Sequence, residues 1–346
     1  MKLNNRLFFI LLVASFLFII CTGLTEEALP PSNDNLSQDQ PLSLILVAMK
    51  NSDYYPFHPA TVKILKNADI TFANLESPFG TGGKPVPCKG IWFRANPAFA
   101  PKLKDAGIDI VSLANNHILD YDVEVFLETL RILKENQISY VGAGNNAAEA
   151  GLPVIITAKN KKVAFLAYSQ FAGIHWDNKK PRTFLATDNQ PGVLPIKVGE
   201  IEAKILQIRS EVDYIVVSLH WGVEYSHYPT KEQQKIARRL IDAGADVIAG
   251  HHPHVLQGIE YYNGGLIFYS LGNFIFDQLP LARRESMIAK IVFQERPLIQ
   301  IFPVLINYGQ PEPAGGKEGR EILNKIRRYS EKWSGLNWPD MKTDDK

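Results

Sequence analysis

From residue 42 onward the chain alternates apolar runs of four to seven residues with segments whose apolar positions recur at helical spacing. Strands buried on both faces read as near-continuous hydrophobic runs, and such runs separated by helices predict an α/β fold. Three stretches rhyme: KNADITFANLE, KDAGIDIVSLANNH and DAGADVIAGHHPH. In the second and third, a helix ends at a glycine suited to a left-handed cap, Gly107 or Gly244, and the strand follows an aspartate. Two places break the alternation. The runs 153–158 and 162–168 flank Lys159-Asn160-Lys161 and predict a hairpin, and the runs 287–293 and 298–306 are strand-like with no helix between them. These predict a second, mostly antiparallel sheet packed on the first. Helices are expected over 123–136, 230–243 and 317–332, with a polar tail over 335–346.

The ends of the expected strands carry the chemistry. Residues 70–73 run into Asn74-Leu75-Glu76, 110–114 into Asn115-Asn116-His117, and 214–219 into His220-Trp221-Gly222. Residues 247–249 run into Gly250-His251-His252-Pro253-His254, and 266–269 into Ser270-Leu271-Gly272-Asn273. Ligands of open α/β sheets bind beyond the carboxyl ends of the strands, where these five segments deliver Glu, Asn or His. If the chain past residue 249 stays extended, His252 and His254 face one way and His251 the other. A lone histidine there is accounted for by burial against backbone carbonyls. A pair together with His220, His117, Glu76 and Asn116 points instead to a divalent cation of the Zn, Fe or Mn type, one or two in number.

The motifs NLESP, FRANP, LANNHILDY, HWGVEY, GHHPH and YSLGNFIFDQ, in this order, resemble the CapA-type capsule synthesis (poly-γ-glutamate biosynthesis) proteins, which have a calcineurin-like metallophosphoesterase fold. The resemblance covers about residues 42 to 290. It implies a four-layer α-β-β-α sandwich, two central mixed sheets flanked by helices. It implies that Glu76 bridges two metals, that Asn116, His220 and His252 bind one of them, and that His254 binds the other. His117 is implied as the group that meets a substrate phosphate and protonates a leaving group, a role suited to a side chain that titrates near neutral pH. A phosphoester or an anionic polymer is the implied substrate, and membrane-bound capsule synthesis machinery the implied partner.

Neighbouring residues carry more than one reading. Glu224 either orients a ligating imidazole or is a solvated loop charge. Asp120 either hydrogen-bonds His117 or caps the helix that follows, and capping is the simpler role. Asn273 serves a turn or a substrate, Arg94 and Lys89 an anionic ligand or only solvent, and Asn74 and Asn115 flank the metal residues as supporting groups. The chain departs from the family pattern at its first strand, SLILVAMKNSD. The resemblance leads one to expect Gly-Asp at the strand end, that aspartate sharing a metal with His254, but Ala48-Met49 stands there. A thioether is a poor ligand for a hard divalent ion. One well-formed and one impaired metal site are therefore expected, with Asp53 the nearest acid able to substitute.

Bulk properties add a compartment and remove some functions. Lys2 and Arg6 precede an apolar run from Leu7 to Cys21, the pattern of a signal peptide cleaved after Gly23 or of a retained anchor, with lipidation of Cys21 a further option. Residues 24–41 read as a polar, Pro-containing tether, 42–306 as the folded domain, and 307–346 as a terminal helix and tail. The expected protein is exported, and secreted or membrane-anchored. Cys21 and Cys88 are the only cysteines, so loss of the leader leaves no intrachain disulfide. A formal charge of +1 argues against a nucleic-acid partner. A zinc-peptidase reading fails because His220 and Glu224 do not make the His-Glu-x-x-His helix.

Overall fold

The computed structural model describes residues 41–49, 57–175 and 183–333. The expected leader over 1–23, all of the tether except Pro41, Asp53 and the tail over 335–346 lie outside the described residues.

The chain begins with β1 (Ser43–Met49), β2 (Ile70–Leu75), β3 (Ile110–Ser112) and β4 (Ser139–Val141), each parallel to the next. β5 (Ala143–Gly144) leaves this sheet, and β6 (Val154–Ala158) and β7 (Lys161–Ser169) form the expected hairpin. Lys159 and Asn160 both take positive φ, 46° and 58°, as a tight two-residue hairpin turn requires. β8 (Gly192–Val193) pairs back onto β5. β9 (Tyr214–His220), β10 (Val247–His251), β11 (Ile259–Tyr262) and β12 (Gly265–Phe268) complete a six-stranded sheet ordered β11-β12-β10-β9-β7-β6. β13 (Glu285–Val292), β14 (Leu298–Asn307) and β15 (Gln310–Pro313) return to the first sheet, making it seven-stranded in the order β15-β14-β13-β1-β2-β3-β4.

The fold is thus mixed α/β with two large mixed sheets and helices against them. The arrangement of the antiparallel pairs differs from expectation. They do not join in one second sheet: β6 and β7 edge the six-stranded sheet, while β13 to β15 edge the seven-stranded one. The six-stranded sheet has a parallel centre between antiparallel edges, while the seven-stranded sheet is parallel on its β1–β4 side and antiparallel on its β13–β15 side. Periodicity identifies a strand but says nothing of its partner, which is why the sequence pattern misassigned them.

Facing side chains of the two sheets meet in a shared core, where Phe72 of β2 stacks on Phe165 of β7 with centroids 5.6 Å apart. The outer face of the six-stranded sheet is covered by the helices Val198–Ile208 and Lys231–Asp242, which bury Ile201, Ile205, Leu240 and Ile241 against Ile215, Val217 and Ile248. Burying one such side chain is worth roughly 1.5–3 kcal/mol. The helix at 231 starts where its residues dictate, with Thr230 and Gln233 in a reciprocal capping box. Gly107 and Gly244 follow helix ends with φ of 93° and 111°, as their cap positions need. The fold also runs past residue 306. β15 adds to the first sheet, and the helix Gly316–Ser330 buries Ile322, Leu323 and Ile326 in the main core. Among the described residues no helix is long and apolar enough to cross a membrane.

Candidate metal centre

The carboxyl ends of β2, β9 and β10, and the loop after β3, converge at one rim between the two sheets. Glu76 follows β2, and its backbone N–H donates to the Met49 carbonyl at 2.9 Å, so the end of β1 sets where the Glu76 backbone sits. Asn74 Nδ2 donates to Glu76 Oε2 at 3.3 Å. Asn115 Nδ2 donates to the Leu75 carbonyl at 2.8 Å, and Asn115 Oδ1 accepts from the His117 backbone N–H at 3.1 Å. Asn74 and Asn115 therefore position the carboxylate and the His117 loop.

Asn116, His220, His252 and Glu76 come together as the strand ends suggested. His220 Nε2 lies 2.8 Å from Asn116 Oδ1 and 3.6 Å from Glu76 Oε1. Glu76, His220 and His252 each offer one donor atom, all within 4.8 Å of one another, and all three are buried. The His252 and His254 rings lie 5.7 Å apart. The route that brings them there is not the expected one. Past β10 the chain is not extended: His252 and His254 take φ of 96° and 58°, a left-handed turn around Pro253. Positive φ is uncommon outside glycine and concentrates at functional sites. Gly250 permits the approach to the rim, since a Cβ there would stand 2.0 Å from the Tyr269 carbonyl. His251 does face elsewhere: it is buried against Phe72, and neither ring nitrogen has a hydrogen-bond partner.

Electrostatics favour cation ligation. Burial, reinforced by the neighbouring His252, holds His220 well below the ordinary histidine range. Burial lowers His252 to about 2, with His254 adding to it, and lowers His251 to about 3. The rings are neutral at pH 7 and present lone pairs. Nδ1 of His252 is buried without a partner. A carboxylate, an amide oxygen and neutral imidazoles on separate elements fit a divalent cation of the Zn, Fe or Mn type.

His254 occupies the other flank. Asn273 Nδ2 donates to the carbonyls of His254 and Arg283, which turns its Oδ1 toward His254 Nδ1 at 2.9 Å. Nδ1 must then be the protonated nitrogen, and Nε2, 3.8 Å from Glu76 Oε1, carries the lone pair. Met49, by contrast, is buried in the main core.

His117 stands beside the metal residues in a polar cluster that sequence reasoning only partly found. Asp120 does not cap a helix. The helix Asp122–Glu135 has Tyr121 at its N-cap with no side-chain cap bond. Instead His117 Nδ1 donates to Asp120 Oδ2 at 2.6 Å, and the Phe93 backbone N–H donates to the same oxygen at 2.6 Å. Lys89, from the preceding loop, is buried and reaches Asp120 Oδ1 and the Asn116 carbonyl. Burial pushes the Asp120 carboxyl up to about 7 against the pull of Lys89, and the same burial pulls Lys89 down. Phe93 stacks on the His117 ring with centroids 3.9 Å apart, and Phe171 packs on His252 at 4.1 Å. These aromatic walls left no trace in sequence spacing. Arg94 lies away from the cluster: it is exposed, donates to the Gly82 carbonyl and covers the Tyr121 ring. Glu224, also exposed, lies with His252 and His254 such that one donor atom of each falls within 4.8 Å of the others.

Residues 29–278 match the family model described as bacterial capsule synthesis protein PGA_cap. The chain is 32% identical over 294 residues to a capsule biosynthesis protein CapA of Bacillus anthracis, covering 82% of this chain and 68% of that protein. It is 34% identical over 255 residues to the PGA biosynthesis protein CapA of Bacillus subtilis (strain 168), covering 72% and 65%. A probable polyglutamine synthesis accessory protein of Mycobacterium tuberculosis is 28% identical over 234 residues, covering 64% and 60%. The chain spans about two thirds of the length of these relatives.

Proposed function

Because the chain belongs to the bacterial capsule synthesis protein PGA_cap family, we propose that it serves the synthesis or export of a capsule or poly-γ-glutamate type surface polymer, through a metal-dependent site that cleaves a phosphoester or a related anionic bond. The observation that carries this reading is the convergence of Glu76, Asn116, His220 and His252 from separate elements onto one buried point. Those four side chains would hold the cation, with His254 beside them. A divalent cation there would supply Lewis-acid polarisation of an anionic oxygen and would make a water ionise near neutral pH. As the imidazolium, His117 gives its Nε2 proton to the leaving oxygen as the ester bond breaks and recovers one from the attacking water, while Asp120 accepts from Nδ1 and holds the ring. Phe93 and Phe171 narrow access of water to the two imidazoles they cover. Export is supported by Lys2, Arg6 and the apolar run from Leu7 to Cys21, and the partners on this reading are an anionic polymer and membrane-bound synthesis machinery.

A second reading, a non-catalytic accessory that grips the anionic polymer, is favoured by Met49 where the resemblance leads one to expect an acid, and by the word accessory in the name of the mycobacterial relative. Hydrolysis of an aryl phosphodiester and an aryl phosphomonoester with added Mn²⁺ or Zn²⁺ separates the two. The enzymatic reading expects turnover that His117→Ala lowers by roughly 10²–10⁴-fold, the usual contribution of a positioned acid. Bound metal without turnover on either ester selects the accessory.

A further inference from the structure

We propose that Glu224 is a direct ligand of a second divalent cation on the His254 flank, where β1 supplies no carboxylate. This rests on the metal-site reading above and names a residue that reading does not use. The first observation is the deficit. The second position retains Glu76 and His254, 3.8 Å apart, while Met49 places a thioether in the core. Two donors are too few for a hard divalent ion, which takes four to six. The second is the geometry of Glu224, whose carboxylate approaches His252 and His254 to within 4.8 Å.

The third observation is how Glu224 is held. The loop after β9 turns at Gly222, with φ of 92°, and again at Tyr225, a non-glycine residue with φ of 65°. That second turn is fastened directly to the histidine loop: the Tyr225 backbone N–H donates to the Pro253 carbonyl at 2.8 Å. Pro253 lies between His252 and His254, so the backbone bond sets Glu224 beside both rings. The Tyr225 ring lies under the Arg283 guanidinium at 3.5 Å, which fixes the turn beside Glu224. The tautomer imposed on His254 by Asn273 leaves the Nε2 lone pair free for an ion, on the side that faces Glu76. Glu224 is exposed, so the second position opens to solvent on its side, in contrast to the buried Glu76–His220–His252 cluster.

The test counts Mn²⁺ per chain by mass spectrometry and isothermal titration in the full-length protein, its Glu224→Gln variant and its His220→Ala variant. Melting with and without Mn²⁺ shows whether each variant is folded. The expected result is two ions in the wild type and one in Glu224→Gln. The metal-free melting temperature of Glu224→Gln should match the wild type, and its Mn²⁺-induced rise should be smaller. Two ions in Glu224→Gln, or none, would overturn the proposal. One ion in the wild type, lost in His220→Ala, overturns this inference and leaves the proposed function standing. No ion in the wild type overturns both.

Discussion

The two flanks of the candidate metal centre are built on different plans. On the His220 flank, the ligand candidates sit at or next to strand ends in two sheets, are buried, and touch one another directly: His220 to Asn116 at 2.8 Å and to Glu76 at 3.6 Å. On the His254 flank, one imidazole comes from a left-handed turn, the carboxylate candidate from an exposed loop, and the neighbouring strand β1 ends in a buried methionine. The first flank is fixed by the packing of the sheets and arrives preorganised. The second is held by loop-to-loop hydrogen bonds, so ordering it draws more on the binding energy of the ion. The contrast predicts unequal affinities, with the His220 flank filling first.

The widest separation should come from His220→Ala. It removes a buried ligand, and Mn²⁺ affinity at the first position should fall by more than ~100-fold, the upper end of what loss of a supporting residue costs. Calorimetric titration reads this directly, and an unchanged first binding event would mean that the buried flank is not the tighter one. Asn273→Ala acts on the other flank alone. Without its acceptor on Nδ1, His254 loses its fixed tautomer, and the second Mn²⁺ should weaken by about 10–100-fold while the first is untouched. Equal loss at both would show that the flanks are coupled.

The smallest effect concerns protons. His220, His251 and His252 all have folded-state pKa values depressed below the ordinary 6.5. Above pH 6.5 they are neutral in both states and contribute no pH dependence. As pH falls below 6.5 the unfolded chain takes up protons that the folded chain refuses, so metal-free stability drops, by up to ~1.4 kcal/mol per pH unit for each histidine. His251 contributes down to about pH 3 and lies outside the ligand cluster. His251→Leu should therefore flatten the acid limb by about one histidine, and at pH 7 it should not destabilise, since it removes two unpartnered buried nitrogens. Urea unfolding between pH 4.5 and 7 measures both, and a steeper acid limb in the variant would refute the assignment.

The sequence exposed the His220 flank more readily than the His254 flank, for a physical reason. Buried strands leave continuous apolar runs, so the positions of Glu76, Asn116, His220 and His252 could be read as strand ends without knowing which sheet each strand joins. Register between strands and the choice of sheet depend on contacts distant in sequence, and the two antiparallel pairs accordingly do not share the single sheet that the pattern predicts. Loops leave no period. The turn at Pro253, the reversal at Tyr225 and the approach of Lys89 to Asp120 are set by backbone φ and by tertiary hydrogen bonds. The expectation that Asp120 caps a helix failed on the same ground. Its local spacing suited a cap, but the buried Lys89 and the Phe93 amide outcompeted the helix terminus for its oxygens.

The hydrogen bond from the Glu76 amide to the Met49 carbonyl carries a further consequence. Every amino acid has that carbonyl, so β1, the middle strand of the seven-stranded sheet, can seat the Glu76 backbone whichever side chain position 49 bears. Position 49 can therefore change its side chain without losing the bond that seats the Glu76 backbone.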